Sequence, residues 1–292
     1  AFCLFSSVAP APTNCVQTAR EVSPQPSAET QRDFEAKLNE ARELSEKDPK
    51  SVDRIIWLGR RTAYLGRYKD AIKIFTDGIK QFPSDARLYR HRGHRFITLR
   101  CFDDAITDFE KASKLIKGRP DEIEPDGLPN ARNIPTSTLQ SNIWYHLGLA
   151  HYLKGDFQRA LNAYREAEKV STNADMLVAT THWLYMTLRR LGREEQASKT
   201  VAAIKDNLDV IENADYYNLI RVYQGKLKPA DLTKNQTADT LTSATLGYGL
   251  GNWFLYNGQK AEATKIFRQV TSGNQWASFG YIAAESELKR TP

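Results

Sequence analysis

An internal repeat of 34 residues is the feature that most limits how this chain of 292 residues can fold. The segment that begins at Trp57 matches the segment that begins at His91, and the matched positions carry the same small or aromatic residue types. The matched pairs are Gly59 with Gly93, Tyr68 with Phe102, Ala71 with Ala105, Phe75 with Phe109, and Gly78 with Ala112. Small and aromatic residues at such positions suit two closely packed antiparallel helices, and Pro83 ends the second helix. The period predicts an array of helix pairs.

Three further copies of the repeat follow, and the copy that begins at Ser141 is the most complete. It carries, in order, Trp144, Leu147, Gly148, Gly155, Phe157, Ala160, Tyr164 and Ala167. This pattern resembles the tetratricopeptide repeat, over about four fifths of the chain. The resemblance implies an all-α superhelical solenoid of antiparallel helix pairs with capping helices at both ends. The expected pairs span 52–85, 86–117, 141–174, 178–211 and 244–273, with a break near 212–243.

Residues 1–28 are expected to lie outside the solenoid, which then spans residues 29–290. The first part reads like a signal-peptide remnant and the rest like a polar, disordered tether. This predicts an exported protein, periplasmic or envelope-associated in a bacterium, rather than a cytoplasmic one. Cys15 is a candidate for a lipid anchor, although the residues before it match the usual attachment pattern poorly, and an ordinary disordered terminus is the alternative. The three cysteines form no CxxC pair, so we expect no disulfide framework.

The first helix of each repeat is expected to supply the partner-binding surface, because the first helices of tetratricopeptide-repeat proteins line a concave groove. The groove-facing positions in this sequence are Arg60, Tyr64, Arg87, Arg90, His94, Asn142, Tyr145, His146, Tyr152, His182, Tyr248 and Asn252. The predicted groove is basic at its N-terminal end and aromatic and polar further on. Arginine and aromatic residues are enriched in peptide-binding surfaces. The alternative is that these first helices are polar and rich in tyrosine whatever they bind.

Arg92 is an exception on the second first helix, because it holds a position that leucine occupies in other repeats, as Leu58 and Leu147 do. Burying a guanidinium group without a partner is costly. We therefore expect either a carboxylate partner for Arg92 or a side chain whose charged end reaches water.

Residues 118–138 form an insertion between the second and third repeats and contain four prolines and an acidic run. Ile123, Leu128 and Ile134 are expected to pack and to order this loop. Its acidic residues have the charge needed to dock toward the arginines and narrow the groove, and a solvated surface bulge is the alternative. Insertions of this length are usually functional or disordered.

The sequence lacks the nucleophile-elbow, zincin, P-loop and dinucleotide-binding motifs, so we predict no enzymatic activity and no cofactor. His91, His94 and His146 have spacing that a zinc ion could use, but no cysteine joins them and the nearby arginines repel a cation. We therefore predict no metal site. Nucleic-acid binding is disfavoured because the acidic loop adjoins the arginines and the other repeats continue no basic stripe.

We therefore expect an interaction scaffold or adaptor that binds a protein or peptide segment in its concave groove, with the arginines favouring an acidic partner. The membrane would be contacted through the lipid anchor alone. The alternative is a small-ligand binder or enzyme that uses the 118–138 loop over the basic groove, with arginines that hold a carboxylate or phosphate. Residues 248–288 also resemble the C-terminal end of bacterial tetratricopeptide-repeat lipoproteins that serve as envelope protease adaptors.

Overall fold

The computed structural model describes residues 14–232 and 243–290, and the regular structure in these ranges is helical. Strand-like pairing there is limited to one bridge between Ile123 and Thr138. The prediction of an all-α fold built from helix pairs is confirmed. The chain divides into two compact units, Ala1–Arg119 (unit 1) and Pro120–Pro292 (unit 2), and each is described by itself.

Unit 1 contains two repeat pairs and the helices that precede them. The helices are α1 (Asn14–Thr18), α2 (Ala28–Lys47), α3 (Val52–Tyr64), α4 (Tyr68–Gln81), α5 (Ala86–Thr98) and α6 (Phe102–Ile116). The first helices α3 and α5 begin after Ser51 and Asp85, whose side chains accept backbone N–H groups of the first turn. Helix α2 packs against α3, as expected of an N-terminal cap.

Unit 2 contains three repeat pairs and two additional helices. Its helices are α7 (Leu139–Lys154), α8 (Phe157–Val170), α9 (Ala174–Arg190), α10 (Glu194–Ala202), α11 (Ala214–Tyr223), α12 (Ala244–Tyr256), α13 (Lys260–Ser272) and α14 (Phe279–Arg290). Helix α11 lies in the predicted break and packs against α9 and α12. Residues 233–242 of that break lie outside the described residues. Helix α14 packs against α7, α12 and α13.

A glycine of the first helix lies against an aromatic ring of the second helix in four repeat pairs. The contacts are Gly59 with Phe75, Gly93 with Phe109, Gly148 with Tyr164, and Gly251 with Phe267. A Cβ atom on Gly148 would lie 2.7 Å from the Tyr164 ring, well inside the roughly 3.5–4.0 Å at which carbon atoms attract each other. Glycine is therefore needed for the ring to pack there, which explains the small and aromatic positions of the sequence repeat.

The pair formed by α9 and α10 departs from this rule. Its residues at the glycine and aromatic positions are Tyr185 and Val201. The Tyr185 ring stacks on Tyr223 of α11, with 4.1 Å between the ring centroids and 10° between the planes. The large side chain on the first helix thus forms part of the contact between α9 and α11.

Arg92 is buried in unit 1, and all three nitrogen atoms of its guanidinium group form hydrogen bonds. Its Nε and Nη2 atoms each donate to Asp108 at 2.7 Å, and Nη1 donates to Thr76 at 3.0 Å. The side chains of Arg92 and Asp108 are 5% and 3% exposed. The expected carboxylate partner is therefore confirmed as Asp108. Burial raises the pKa of Asp108 to about 6, although the Arg92 guanidinium opposes the rise.

The part of the 118–138 insertion that belongs to unit 2 is ordered by polar contacts. Arg132 forms two hydrogen bonds with the Asp209 carboxylate, at 2.7 and 2.9 Å. The Asn130 amide and the Thr136 hydroxyl both donate to Glu212. Packing of the loop by its apolar side chains was a wrong expectation, since those of Ile123, Leu128 and Ile134 are exposed. Docking of the loop onto the arginines stays a prediction.

Two expectations about the N-terminal region are corrected. Cys15 and Cys101 form a disulfide, so the expected absence of a disulfide was wrong. The same bond is incompatible with a lipid anchor at Cys15, because the sulfur that would carry the lipid is already bonded. The N-terminal strap, our name for residues 14–26, is the described part of this region, and it lies against other segments of unit 1. The predicted signal-peptide remnant spans residues 1–15, of which residues 1–13 lie outside the described residues.

The Arg92–Asp108 pair predicts unequal effects of removing its two partners. Asp108→Leu should lower the free energy of unfolding by about 3–5 kcal/mol, because it leaves a buried guanidinium that cannot lose its charge. Arg92→Leu should lower the free energy of unfolding by less. Its difference from wild type should shrink as the pH is lowered from about 7.5 to 5. The sign follows from Asp108: burial raises its pKa and Arg92 opposes the rise, so removing Arg92 raises the pKa of folded Asp108 further. As the pH falls, the folded variant therefore takes up a proton more readily than folded wild type does, and it gains stability relative to wild type.

Urea unfolding of both single variants and of the double variant at the two pH values measures this difference. The double variant should recover most of the loss, since no buried charge remains. Equal losses for the two single variants at both pH values would contradict the argument.

Candidate functional site

The candidate residues of unit 1 lie on the first helices α3 and α5, which are in contact. They are Arg60 and Tyr64 on α3, and Arg87, Arg90 and His94 on α5. All are half-buried except Arg90, which is 7% exposed. The structure therefore brings these predicted residues together on neighbouring helices, and we call their surface the α3–α5 face.

Arg90 lies between two histidines of its own helix. Its Nη1 atom is 3.2 Å from Nδ1 of His91 and 3.5 Å from Nδ1 of His94. Burial and the nearby arginines, Arg90 first among them, lower the pKa of His91 well below its usual value. The His91 ring is therefore neutral near pH 7, so its Nδ1 can accept a hydrogen bond from Arg90. The ring also stacks on Phe75, with 5.7 Å between the centroids.

Two further guanidinium groups on these helices contact aromatic rings. Arg60 lies 4.4 Å from the centroid of the Trp57 ring, and Arg95 lies 5.9 Å from that of Tyr68. Within the described ranges neither side chain forms an ion pair. Burial, reinforced by the charges of Arg90 and Arg60, lowers the pKa of Arg95 to about 10. Arg95 was not among the predicted residues, although its place four residues after His91 was a signal for it.

Arg87 is already compensated within the chain. Its Nε and Nη2 atoms donate to the Asp85 carboxylate, and its Nη1 atom donates to Asp53 at 2.7 Å. Hydrogen bonding to Asp85 raises the pKa of Arg87, since the carboxylate stabilises the charged form of the guanidinium group. The predicted role of Arg87 in binding a partner stays a prediction, and its charge is the least available of those on the α3–α5 face.

The candidate residues of unit 2 are buried. Asn142, Tyr145, His146, Tyr152, His182, Tyr248 and Asn252 are each at most 6% exposed. The expectation that these side chains face an open groove does not hold, because the chain itself covers them. Asn142, for example, donates to Glu124 and Ser137 of the inserted loop, at 3.1 and 3.0 Å.

Helix α11 covers the centre of this group. The His182 ring stacks on Tyr216, with 4.7 Å between the centroids, and its Nδ1 is 3.2 Å from the Tyr223 hydroxyl. The Tyr145 and Tyr216 hydroxyls are 3.3 Å apart. The turn before α11 is fixed by the buried carboxylate of Asp175, which accepts three successive backbone N–H groups from residues 211–213.

Helix α14 covers the remaining side chains. At its start, the Phe279 ring meets the edge of His146, with centroids 5.4 Å apart. Near its end, Glu287 is 1% exposed and pairs with Arg190 at 2.8 Å and Arg290 at 2.7 Å. The Tyr248 hydroxyl lies 3.3 Å from the same carboxylate. A partner could reach these predicted residues of unit 2 only if α11 or α14 moved, so their role in binding stays a prediction.

Among the described residues, one group of side chains has the spacing of metal ligands. Donor atoms of Cys15, Cys101 and Asp104 lie within 4.8 Å of one another, but the two sulfur atoms are joined and are not thiolates. No helix in the described ranges is long and apolar enough to cross a membrane.

The geometry of the helix pairs agrees with comparisons with known proteins. The tetratricopeptide-repeat family model matches residues 141–174, the pair formed by α7 and α8. The match shows that the chain contains a tetratricopeptide repeat, and it supports the same interpretation of the other helix pairs. A curated relative, the BBSome complex member BBS4 of Bos taurus, is 26% identical over 140 residues. That match covers 48% of this chain and spans about a quarter of the relative, 23% of its length.

Solved structures of two tetratricopeptide-repeat proteins are also similar. YrrB, described as having an unusual peptide-binding site, is 14% identical, with a TM-score of 0.45 and coverage of 85% of this chain and 97% of YrrB. MamA is 17% identical, with a TM-score of 0.45 and coverage of 59% of this chain and 86% of MamA. MamA from Desulfovibrio magneticus RS-1 is 14% identical, with the same TM-score and coverage of 62% and 94%.

The buried histidine of unit 2 predicts a loss of stability in acid. Burial lowers the pKa of His182 to about 3, whereas an unfolded histidine titrates near pH 6.5. As the pH falls below about 6.5, the unfolded chain takes up a proton that the folded chain does not. Between about pH 7.5 and pH 5, the free energy of unfolding should therefore fall by about 2 kcal/mol less in His182→Gln than in wild type.

Urea unfolding at both pH values, monitored by tryptophan fluorescence, tests this. His151→Gln is the matched control in unit 2, because that histidine lies within 3.9 Å of Asp156. An acid-induced loss that is the same for wild type and His182→Gln would contradict a neutral buried ring.

Proposed function

We propose that this protein is a non-enzymatic interaction scaffold that holds an acidic segment of a partner protein against the α3–α5 face of unit 1. The tetratricopeptide-repeat fold supports the general function, since such arrays use helix faces to bind proteins and peptides. The observation that carries the choice of surface is that the half-buried arginines Arg60 and Arg95 lie on the adjacent helices α3 and α5. The corresponding polar side chains of unit 2 are instead buried by the chain's own helices.

An acidic segment fits this face because positive charge is in excess there. The guanidinium groups of Arg60 and Arg95 contact aromatic rings, which use the faces of these planar groups rather than their N–H donors. A carboxylate can accept two hydrogen bonds from one guanidinium group. It would also offset the mutual repulsion that contributes to the lowered pKa of Arg95.

Export to an oxidising compartment of the cell envelope is part of the proposal. The Cys15–Cys101 disulfide supports it, since such bonds persist in exported proteins and are rare in the reducing cytosol. The test is thiol trapping in intact cells: alkylation before lysis should leave Cys15 and Cys101 unmodified. Quantitative alkylation of both would contradict residence in an oxidising compartment.

The binding surface is tested with short random peptides displayed on phage and selected on the immobilised full chain. Selected sequences should be enriched in Asp and Glu, and synthetic copies should bind more weakly as salt is raised. Arg60→Ala and Arg95→Ala should each weaken binding roughly ten-fold, which corresponds to the loss of about one charged hydrogen bond, ~1.4 kcal/mol. Fluorescence anisotropy of the labelled peptides gives the dissociation constants.

Two control variants distinguish this surface from general electrostatic attraction. Arg87→Ala should weaken binding much less, because Asp85 and Asp53 already neutralise that side chain. Arg159→Ala, an exposed charge of unit 2, should leave binding unchanged. Peptides without acidic enrichment, or binding that survives both Arg60→Ala and Arg95→Ala, would overturn the proposal. Displacement of the peptide by inorganic phosphate at low concentration would favour the small-ligand alternative.

A further inference from the structure

The N-terminal strap is attached to unit 1 at two turns between helices. The strap begins with α1, continues without regular secondary structure and leads into α2. Cys15 joins it to Cys101, the residue that precedes α6, and Cys101 is 2% exposed. The strap therefore connects the start of the described chain to the turn between the two helices of the second repeat.

The strap also contacts the turn between the two helices of the first repeat. The backbone N–H of Lys69, in the first turn of α4, donates to the Glu21 carboxylate at 2.8 Å. The residue before α4, Arg67, supplies no side-chain cap, so Glu21 satisfies a helix-end N–H group that the repeat leaves open. A Cβ atom on Gly66 would lie 2.6 Å from both Ser23 and Pro24, so the strap passes directly over this turn.

Noncovalent contacts alone give the strap little stability. Among residues 15–26, Val16 alone is buried, and most of the other side chains are exposed. Ordering a segment of this length costs conformational entropy at every residue, and one buried valine with a few exposed hydrogen bonds does not offset that cost. The disulfide changes the balance, because it fixes one end of the segment while α2 fixes the other.

We propose that the Cys15–Cys101 disulfide is a redox-controlled clasp, which holds the strap over the turns at residues 65–67 and 99–101 and releases it on reduction. The reductant is a dithiol, either a small molecule or a thiol–disulfide oxidoreductase. Its thiolate attacks the sulfur of Cys15, the more exposed cysteine, and Cys101 leaves as a thiolate that takes up a proton. The second thiol of the reductant then displaces Cys15 from the mixed disulfide. Two electrons and two protons pass to the protein, and the reductant leaves as a disulfide.

Limited trypsin digestion of the full chain tests the clasp, because Arg20 lies in the strap and is exposed. Cleavage after Arg20 should be at least ten-fold faster after treatment with dithiothreitol and alkylation than in the oxidised protein, since a protease requires a released backbone. Cleavage after Lys117, which is exposed at the end of the same unit, provides the internal reference and should not change. Reoxidation before alkylation should restore the slow rate at Arg20.

Two variants and one further measurement keep the test decisive. Cys15→Ser should be cleaved rapidly at Arg20 under both conditions, and Cys3→Ser should respond to reduction as wild type does. Amide hydrogen exchange at Lys69 should accelerate on reduction, because Glu21 no longer accepts its N–H. Equal cleavage rates in the oxidised and reduced proteins would overturn the clasp. Failure to find the linked Cys15–Cys101 peptides by mass spectrometry of the oxidised protein would also overturn it.

Discussion

The contact between a glycine of the first helix and an aromatic ring of the second is the constraint on which the helix pairs depend. It sets how closely the two helices approach, and it requires the face of the first helix that carries the glycine to point toward the second helix. Where the contact is lost, in the pair with Tyr185 and Val201, the first helix packs against an additional element, α11. The break in the array is thus tied to a change in side-chain size at one position.

The two units treat their first-helix faces differently, and the difference follows from the cost of desolvation. Tyrosine, histidine and asparagine satisfy one another when buried, as Tyr152 does by accepting from Tyr248 and Asn252 at 2.9 and 2.8 Å. Such a face can be covered by α11 and α14. A group of arginines cannot be covered in the same way, because each buried guanidinium requires an acceptor with negative charge. The proposed acidic partner would supply such an acceptor at the face of unit 1.

The sequence predicted what depends on local period and position. The helix pairs followed from the spacing of glycine and aromatic residues. A charge at a leucine position gave two possible outcomes for Arg92, and the carboxylate partner was one of them. It did not predict features that depend on contacts between distant segments. Cys15 and Cys101 are separated by 86 positions, and no motif marks them as a pair. The burial of His182 depends on Tyr216 and Tyr223, which belong to a helix outside the repeat pattern.

Buried polar groups determine which helix pairs lie next to each other, and the repeat pattern alone does not. Repeats that share the same glycine and aromatic positions could stack in more than one order along the array without loss of apolar contact. Arg92 removes that freedom in unit 1, because it is satisfied by Asp108 of its own pair and by Thr76 of the preceding pair. A neighbour without an acceptor at the position of Thr76 would leave a buried donor unpaired. In unit 2, Glu287 selects the position of α14 in the same way. Arg190 of α9 pairs with the Glu287 carboxylate when α14 packs there. Charge inside the helix stack thus selects which helices lie next to one another.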